Sequence, residues 1–248
     1  MRVVPSALII GTFAPDFEYF LRLAPSGGFG HSIFGVFILT LPLALLILWL
    51  FHAFVKTAAT RLLPNPIQRR LTAHLQPFPW RGTTRFLAII GSLLLGIATH
   101  IVWDSFTHPA SWLYRHWSFL HQTVDLPLIG RTPYYKAFQH GSTLLGILVL
   151  LLWFAAWYRN SKSSAYVSEL PPPAVPGRII ISMFLAIALF GSAVRVIAFK
   201  GATAHVWTTT IFTGQAVCTF IALLWWEFVA YGWYESSRHK SLARTKIE

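Results

Sequence analysis

Cysteine is all but absent. Cys218 stands alone in 248 residues, inside an apolar run, so the chain can close no disulfide on itself and offers no thiolate cluster to a metal. Acids are scarce too, eight Asp and Glu against 20 Lys and Arg, for a formal net charge of +12. In a soluble chain that balance would suggest nucleic acid as partner. Here 55% of the residues are hydrophobic and they gather in long runs, which turns the reading away from nucleic acid and toward lipid. Also missing are a serine nucleophile elbow, a phosphate loop, a dinucleotide fingerprint and the internal repeat that many carriers show. Val3–Ala14 is apolar but runs into Pro15-Asp16 without a small-residue cleavage pattern, so no cleavable signal peptide is expected.

What is present is five segments long and apolar enough to cross a bilayer: Ser32–Val55, Phe86–Thr107, Ser142–Tyr158, Ile179–Phe199 and Thr208–Trp233. A spanning helix needs ~20 apolar residues. Tryptophans such as Trp49, Trp103, Trp153, Trp157 and Trp233 collect near the segment ends, where indoles favour the lipid–water boundary. The expected fold class is therefore all-α, a polytopic membrane protein. The apolar stretch before Asp16 is too short to span alone and reads as a short re-entrant or interfacial helix. Three parts are expected: a motif-bearing helical membrane domain over 1–160, a Ser/Pro-rich linker over 161–177, and a two-helix membrane segment with a basic tail over 178–248.

The chain is organised around Ser92-Leu-Leu-Leu-Gly96-Ile-Ala-Thr-His100-Ile-Val-Trp-Asp104-Ser-Phe-Thr-His108-Pro109. On a helix, residues four apart share a face, so Ser92, Gly96, His100, Asp104 and His108 form one stripe. Its small half lets a neighbouring backbone come close. Its polar half opens at a helix end, because Pro109 cannot continue the helix and disfavours helical geometry at His108. Two earlier segments carry matching chemistry: Asp16, at the end of the short N-terminal helix, and His31, after the loop Ser26-Gly27-Gly28-Phe29-Gly30, with Ser32 as N-cap of the first spanning helix.

Lysine and arginine alone set the expected topology. The segment from Lys56 to Arg85 holds Lys56, Arg61, Arg69, Arg70, Arg81 and Arg85 with no acid, and the tail holds Arg238, Lys240, Arg244 and Lys246. The positive-inside rule assigns both to the cytoplasm. Asp16, His31, the end carrying His100, Asp104 and His108, and also His116, His121, Asp125 and His140 then fall together on the outer side. Imidazole and carboxylate suit zinc and its neighbours, and ionisable groups at membrane depth are costly enough to be functional by default.

Val4-Pro5-Ser6-Ala7-Leu8 with Ala14-Pro15-Asp16, then Gly30-His31-Ser32, then Thr99-His100-x-x-Trp103-Asp104-x-x-Thr107-His108, then Gln139-His140-Gly141-Ser142 resemble bacterial polytopic membrane proteins of a domain-of-unknown-function family close to the YdjM-like predicted membrane-bound metal-dependent hydrolases. The resemblance covers about residues 3–158. It implies a bacterial inner (cytoplasmic) membrane location and a divalent metal, zinc above others. Its ligands would come from Asp16, His31, His100, Asp104 and His108, with Asp16 and Asp104 as catalytic carboxylates and His140, Ser32, Trp103 and Thr107 as supporting residues. Members of that family carry a Ser-His pair upstream of the Val-Pro-Ser-Ala stretch, whereas Met1-Arg2 directly precede it here, so the implied ligand set lacks that pair. The helical His-x-x-x-Asp arrangement is also similar to that of the all-helical zinc-dependent phospholipases C.

Two function classes are expected from these residues. One is a metal-dependent hydrolase with an outward-facing His/Asp site, acting on phosphoester or lipid-derived substrates. The alternative is a non-catalytic membrane subunit whose His/Asp cluster is structural. Membrane lipid, membrane protein partners or further copies of the chain are the expected partners. His52, His74, His205 and His239 read as solvated or interfacial, and Glu227 reads as one half of a structural ion pair with Arg178.

Overall fold

The computed structural model describes residues 2–24, 28–109, 111–127, 130–161, 173, 175–202 and 209–245. Two short helices, α1 (Pro5–Phe13) and α2 (Phe17–Arg22), are joined by a 3-10 turn over Ala14–Asp16. The first spanning helix, α3 (Ile33–Leu62), leads through α4 (Asn65–Leu71) to α5 (Thr83–Thr107). A short α6 (Trp112–His116) and a two-stranded antiparallel hairpin, β1 (Thr123–Leu126) with β2 (Gly130–Pro133), precede α7 (Tyr134–Asn160). The chain then continues through α8 (Gly177–Ala202) and α9 (Thr209–Thr245). Among the described residues five helices are long and apolar enough to cross a membrane, and the fold is all-α and polytopic. Each extends beyond the apolar run that announced it, because helical hydrogen bonding continues past the hydrocarbon core into the flanking polar residues.

The core forms where α1 lies along the small stripe of α5. The Val4 amide donates to Ser92 Oγ (2.9 Å), which itself donates to the Ala88 carbonyl (2.7 Å). Two turns on, Gly11 faces Gly96 so closely that a methyl at Gly96 would collide with the Leu8 carbonyl oxygen, and one at Gly11 with that of Leu93. Small residues thus bring two backbones together, the arrangement that drives helix association in lipid, where apolar burial supplies little force. Val4, Ala7, Ile10, Ile47, Leu48, Ile89, Leu93 and Ile97 fill the space between α1, α3 and α5.

Two π-helical turns interrupt α3, at Val36–Thr40 and Phe51–Val55. Pro42, which has no N–H to give, follows the first of them. There the buried Thr40 Oγ1 donates to the Gly30 carbonyl (2.9 Å), pinning the loop that carries His31. Ser32 caps the helix as expected, its Oγ accepting from the Gly35 amide (2.9 Å).

The last two helices are not a separate body. Gly177 packs against Leu62, Gly232 against Phe54, the Arg195 Nε donates to the Leu23 carbonyl (3.2 Å), and Thr219 Oγ1 donates to the same carbonyl (3.0 Å). Most of the Ser/Pro-rich linker, and His205, lie outside the described residues, and nothing is described of the His239 side chain. Helix α7 differs from the other spanning helices, with no buried residue among those described. Its far end is held by Arg70, which donates to the Tyr158 carbonyl (3.2 Å) and stacks its guanidinium over the Tyr158 ring (4.2 Å).

Two expectations are overturned. His52 is neither solvated nor idle: its Nε2 is 3.0 Å from Ser6 Oγ and its ring stacks on Phe78 at 3.9 Å, because α1 and the aromatic segment before α5 close over it. Glu227 does not pair with Arg178. Among the described residues neither Glu227 oxygen has a hydrogen-bond partner, and Arg178 is exposed. The ion pair of this half lies two helical turns further along α9, where the Glu235 carboxylate accepts from the Arg61 guanidinium at 3.1 Å.

Candidate metal centre

Helix α5 supplies His100 and Asp104 from one face, one turn apart. The 3-10 turn after α1 supplies Asp16, and the Thr40-pinned loop supplies His31. All four converge at one end of the bundle, with one donor atom from each lying within 4.8 Å of the other three. His31 Nε2 is 3.4 Å from Asp104 Oδ2 and 3.6 Å from Asp16 Oδ1. His100 Nε2 is 3.3 Å and 3.7 Å from the same two oxygens. Bonds of ~2.0–2.1 Å meeting at a tetrahedral angle place neighbouring ligand atoms roughly 3.3 Å apart. The four His–Asp separations are therefore close to what one shared ion requires, and two imidazoles with two carboxylates suit a divalent ion.

The hydrogen bonding of His100 supports the same fit. Its Nδ1 lies 2.8 Å from the Thr12 carbonyl oxygen, which can only accept, so Nδ1 carries the proton. In the neutral imidazole Nε2 then holds the lone pair and faces the other three donors, and this buried atom has no hydrogen-bond partner among the described residues. A backbone carbonyl fixing the far nitrogen is how metal-ligating histidines are oriented. The Gly11–Gly96 approach is what brings Thr12 within reach.

Partial burial pushes Asp16 above the ordinary carboxylate range, a trend that the charge of His100 opposes. A carboxylate so placed gains from a cation. Tyr19 of α2 stacks over His31 at 6.3 Å between ring centroids. Burial, reinforced by the charge of Asp16, pushes its phenol up to about 12. The Tyr19 hydroxyl therefore stays protonated at neutral pH and is available as a donor.

The remaining sequence candidates are placed as follows. His108 lies outside the four-residue group, half exposed, with Nδ1 3.5 Å from Asp104 Oδ1. Helix α5 stops at Thr107 and the His108 backbone is extended (φ −120°, ψ 131°), yet its side chain still reaches Asp104 of the preceding turn. Thr107 is buried beside it, its Oγ1 3.2 Å from His108 Nδ1, and Trp103 is exposed. His140 is exposed on α7. His116 and His121 are engaged by backbone carbonyls, of Trp112 (2.8 Å) and Tyr114 (2.6 Å). Tyr19 was missed from sequence; its position three residues after Asp16, on the next helix, was the signal that could have found it.

No curated protein and no solved structure matches the chain. Residues 1–233 match the model of a domain of unknown function, DUF4184, and the chain belongs to that family.

Proposed function

We propose that the protein is a membrane-bound metal-dependent hydrolase of phosphoesters, with its centre at Asp16, His31, His100 and Asp104. The observation that supports this reading best is the convergence of four donors within 4.8 Å, one of them an imidazole nitrogen that lacks a hydrogen bond among the described residues. A divalent ion held by His31, His100 and Asp104 would keep a further position open and would supply there a Lewis acid and a water acidified toward neutral pH. The protein's own residues then divide the work. Asp104, close to His31, His100 and His108, holds the histidines in place. Asp16, whose side chain is 41% exposed against 26% for Asp104, is the base open to an incoming water. Water oxygen bonds to phosphorus, Asp16 takes the proton, and the broken P–O bond releases an alcohol that acquires a proton.

In this reading the membrane is the bacterial inner membrane, the centre faces its outer side and the tail is cytoplasmic, as the Lys and Arg distribution predicts. A cysteine at position 75 should resist impermeant reagents in intact cells, and its labelling would reverse the orientation.

Elemental analysis of protein purified without chelator should give one divalent ion per chain for the wild type and little for His100→Ala. Asp104→Asn should lower turnover of a phosphodiester panel by at least ~10²-fold with the fold retained. Equal, near-zero metal in wild type and variant would remove this mechanism. The second reading, a structural knot in a non-catalytic subunit, draws on the His100–Thr12 bond that ties α5 to α1. It requires the same variants to lose thermal stability or a partner, with no activity in either protein.

A further inference from the structure

A cavity of about 580 Å³ opens between α1–α2, α3 and α9, within the ~300–1,000 Å³ of ordinary ligand pockets. Its walls are almost wholly apolar, with Phe13, Phe17, Ile47, Phe51, Ile221 and Trp225 among them. Asp16 and Tyr19 line it as well. These two also belong to the metal-centre end: Asp16 is one of the four donors and Tyr19 stacks over His31. The cavity and the centre are thus one continuous surface, polar at Asp16 and apolar beyond. Its rim is exposed, Phe13 by 58%, Val217 by 50% and Ile221 by 43%, on helices that lie at membrane depth, so it opens sideways toward lipid.

We infer that this groove seats one acyl chain of a bilayer phospholipid, with the phosphoester head at Asp16 and Tyr19. The inference rests on the reading of the cluster as the reacting end. Length selects the occupant. Gly214 to Trp225, the stretch of α9 that lines the groove, rises roughly 16 Å at 1.5 Å per residue. One leaflet of a ~30 Å hydrocarbon core is about 15 Å deep. A chain entering at the polar end would run to the middle of the bilayer beside Phe51 and Trp225. The Tyr19 hydroxyl is a donor suited to a phosphoryl oxygen, and among the described residues no Lys or Arg lines the cavity, so the charge of the head is left to the metal end.

The test uses the purified full chain in detergent and phosphatidylglycerol carrying a diazirine at the terminal carbon of one acyl chain. A matched analogue carries the diazirine on the head. After irradiation, the acyl probe should mark the segments around Phe51 and Ile221–Trp225, and the head probe those around Asp16 and His31. Ile221→Trp should lower acyl labelling roughly tenfold by filling the groove, with metal content unchanged. Val217→Trp, at the exposed rim, should act in the same direction where Ile221→Trp folds poorly. Acyl labelling spread equally over the exposed leucines of α7, or undiminished in both variants, overturns the inference. So does a groove that is shielded by cross-linked dimers. The same labelling in His100→Ala separates the two readings. Groove labelling retained in His100→Ala shows that the lipid seat stands without the metal; groove labelling in a wild type that holds no metal and hydrolyses nothing refutes the hydrolase and supports the lipid seat; hydrolysis of soluble diesters without groove labelling refutes the lipid seat alone.

Discussion

The two ends of the helix bundle use the same kinds of side chain to opposite effect. At the far end Arg61 and Glu235 meet at 3.1 Å with 9% and 5% of their side chains exposed, and each satisfies the charge of the other. At the near end two carboxylates face two imidazoles, and among the described residues no Lys or Arg pairs with Asp16 or Asp104. A sealed pair of opposite charges is finished; two acids that share only imidazoles still have room for a cation. Buried polar groups in a membrane bundle therefore divide by whether the protein itself completes them.

The largest expected effect breaks the finished end. Glu235→Ala leaves the Arg61 guanidinium in a buried site without its counter-ion, and losing one partner of a buried pair costs about 3–5 kcal/mol. Thermal unfolding in detergent should show the loss while metal content stays at the wild-type value. A variant as stable as wild type would mean that water or another acid reaches Arg61, and the contrast between the ends would fall.

Gly96→Ala tests what joins the near end together. Alanine favours a helix over glycine by roughly 1 kcal/mol, so propensity alone predicts a gain. The added methyl meets the Leu8 carbonyl, a backbone atom that cannot step aside, and overpacking of about 1–3 kcal/mol should win. Moving α1 away from α5 also stretches the Thr12–His100 bond, so metal content should fall together with stability. Gly91→Ala is the control: nothing lies within 4 Å of the added methyl, and propensity should prevail.

These two variants also mark what the sequence could and could not disclose. The stripe Ser92, Gly96, His100, Asp104 was legible because a helix repeats locally and its four-residue spacing survives folding. Asp16 and His31 were legible as neighbours because the membrane sorts residues onto two sides, a constraint that Lys and Arg reveal. His108 follows the spacing as far as Asp104 but lies outside the four-donor group, past the helix end. Arg61 and Glu235 lie 174 residues apart, and no local pattern links them, so Glu227 and Arg178 drew attention instead. His52 looked interfacial because its partners, Ser6 and Phe78, come from two other segments.

The smallest effect concerns pH and belongs to Asp16. Its carboxyl is raised in the folded, metal-free protein by burial. A group whose folded pKa lies above its unfolded value adds stability below the unfolded value, and that contribution is lost as pH rises through the folded one. The Asp16 contribution to the stability of the metal-free protein should therefore shrink on leaving the acid range. The loss stays small because the side chain is 41% exposed and water screens it. A divalent ion reverses the sign. It binds the deprotonated carboxylates and neutral imidazoles and releases protons as it does so. The rise in unfolding temperature on adding zinc should then grow between about pH 5 and pH 7, where carboxyls and imidazoles finish losing their protons. Asp16→Asn should flatten the acid limb of the metal-free curve and shrink the zinc shift at every pH. A zinc shift of equal size across that range would mean that the ion binds elsewhere, and the near end would then be as finished as the far one.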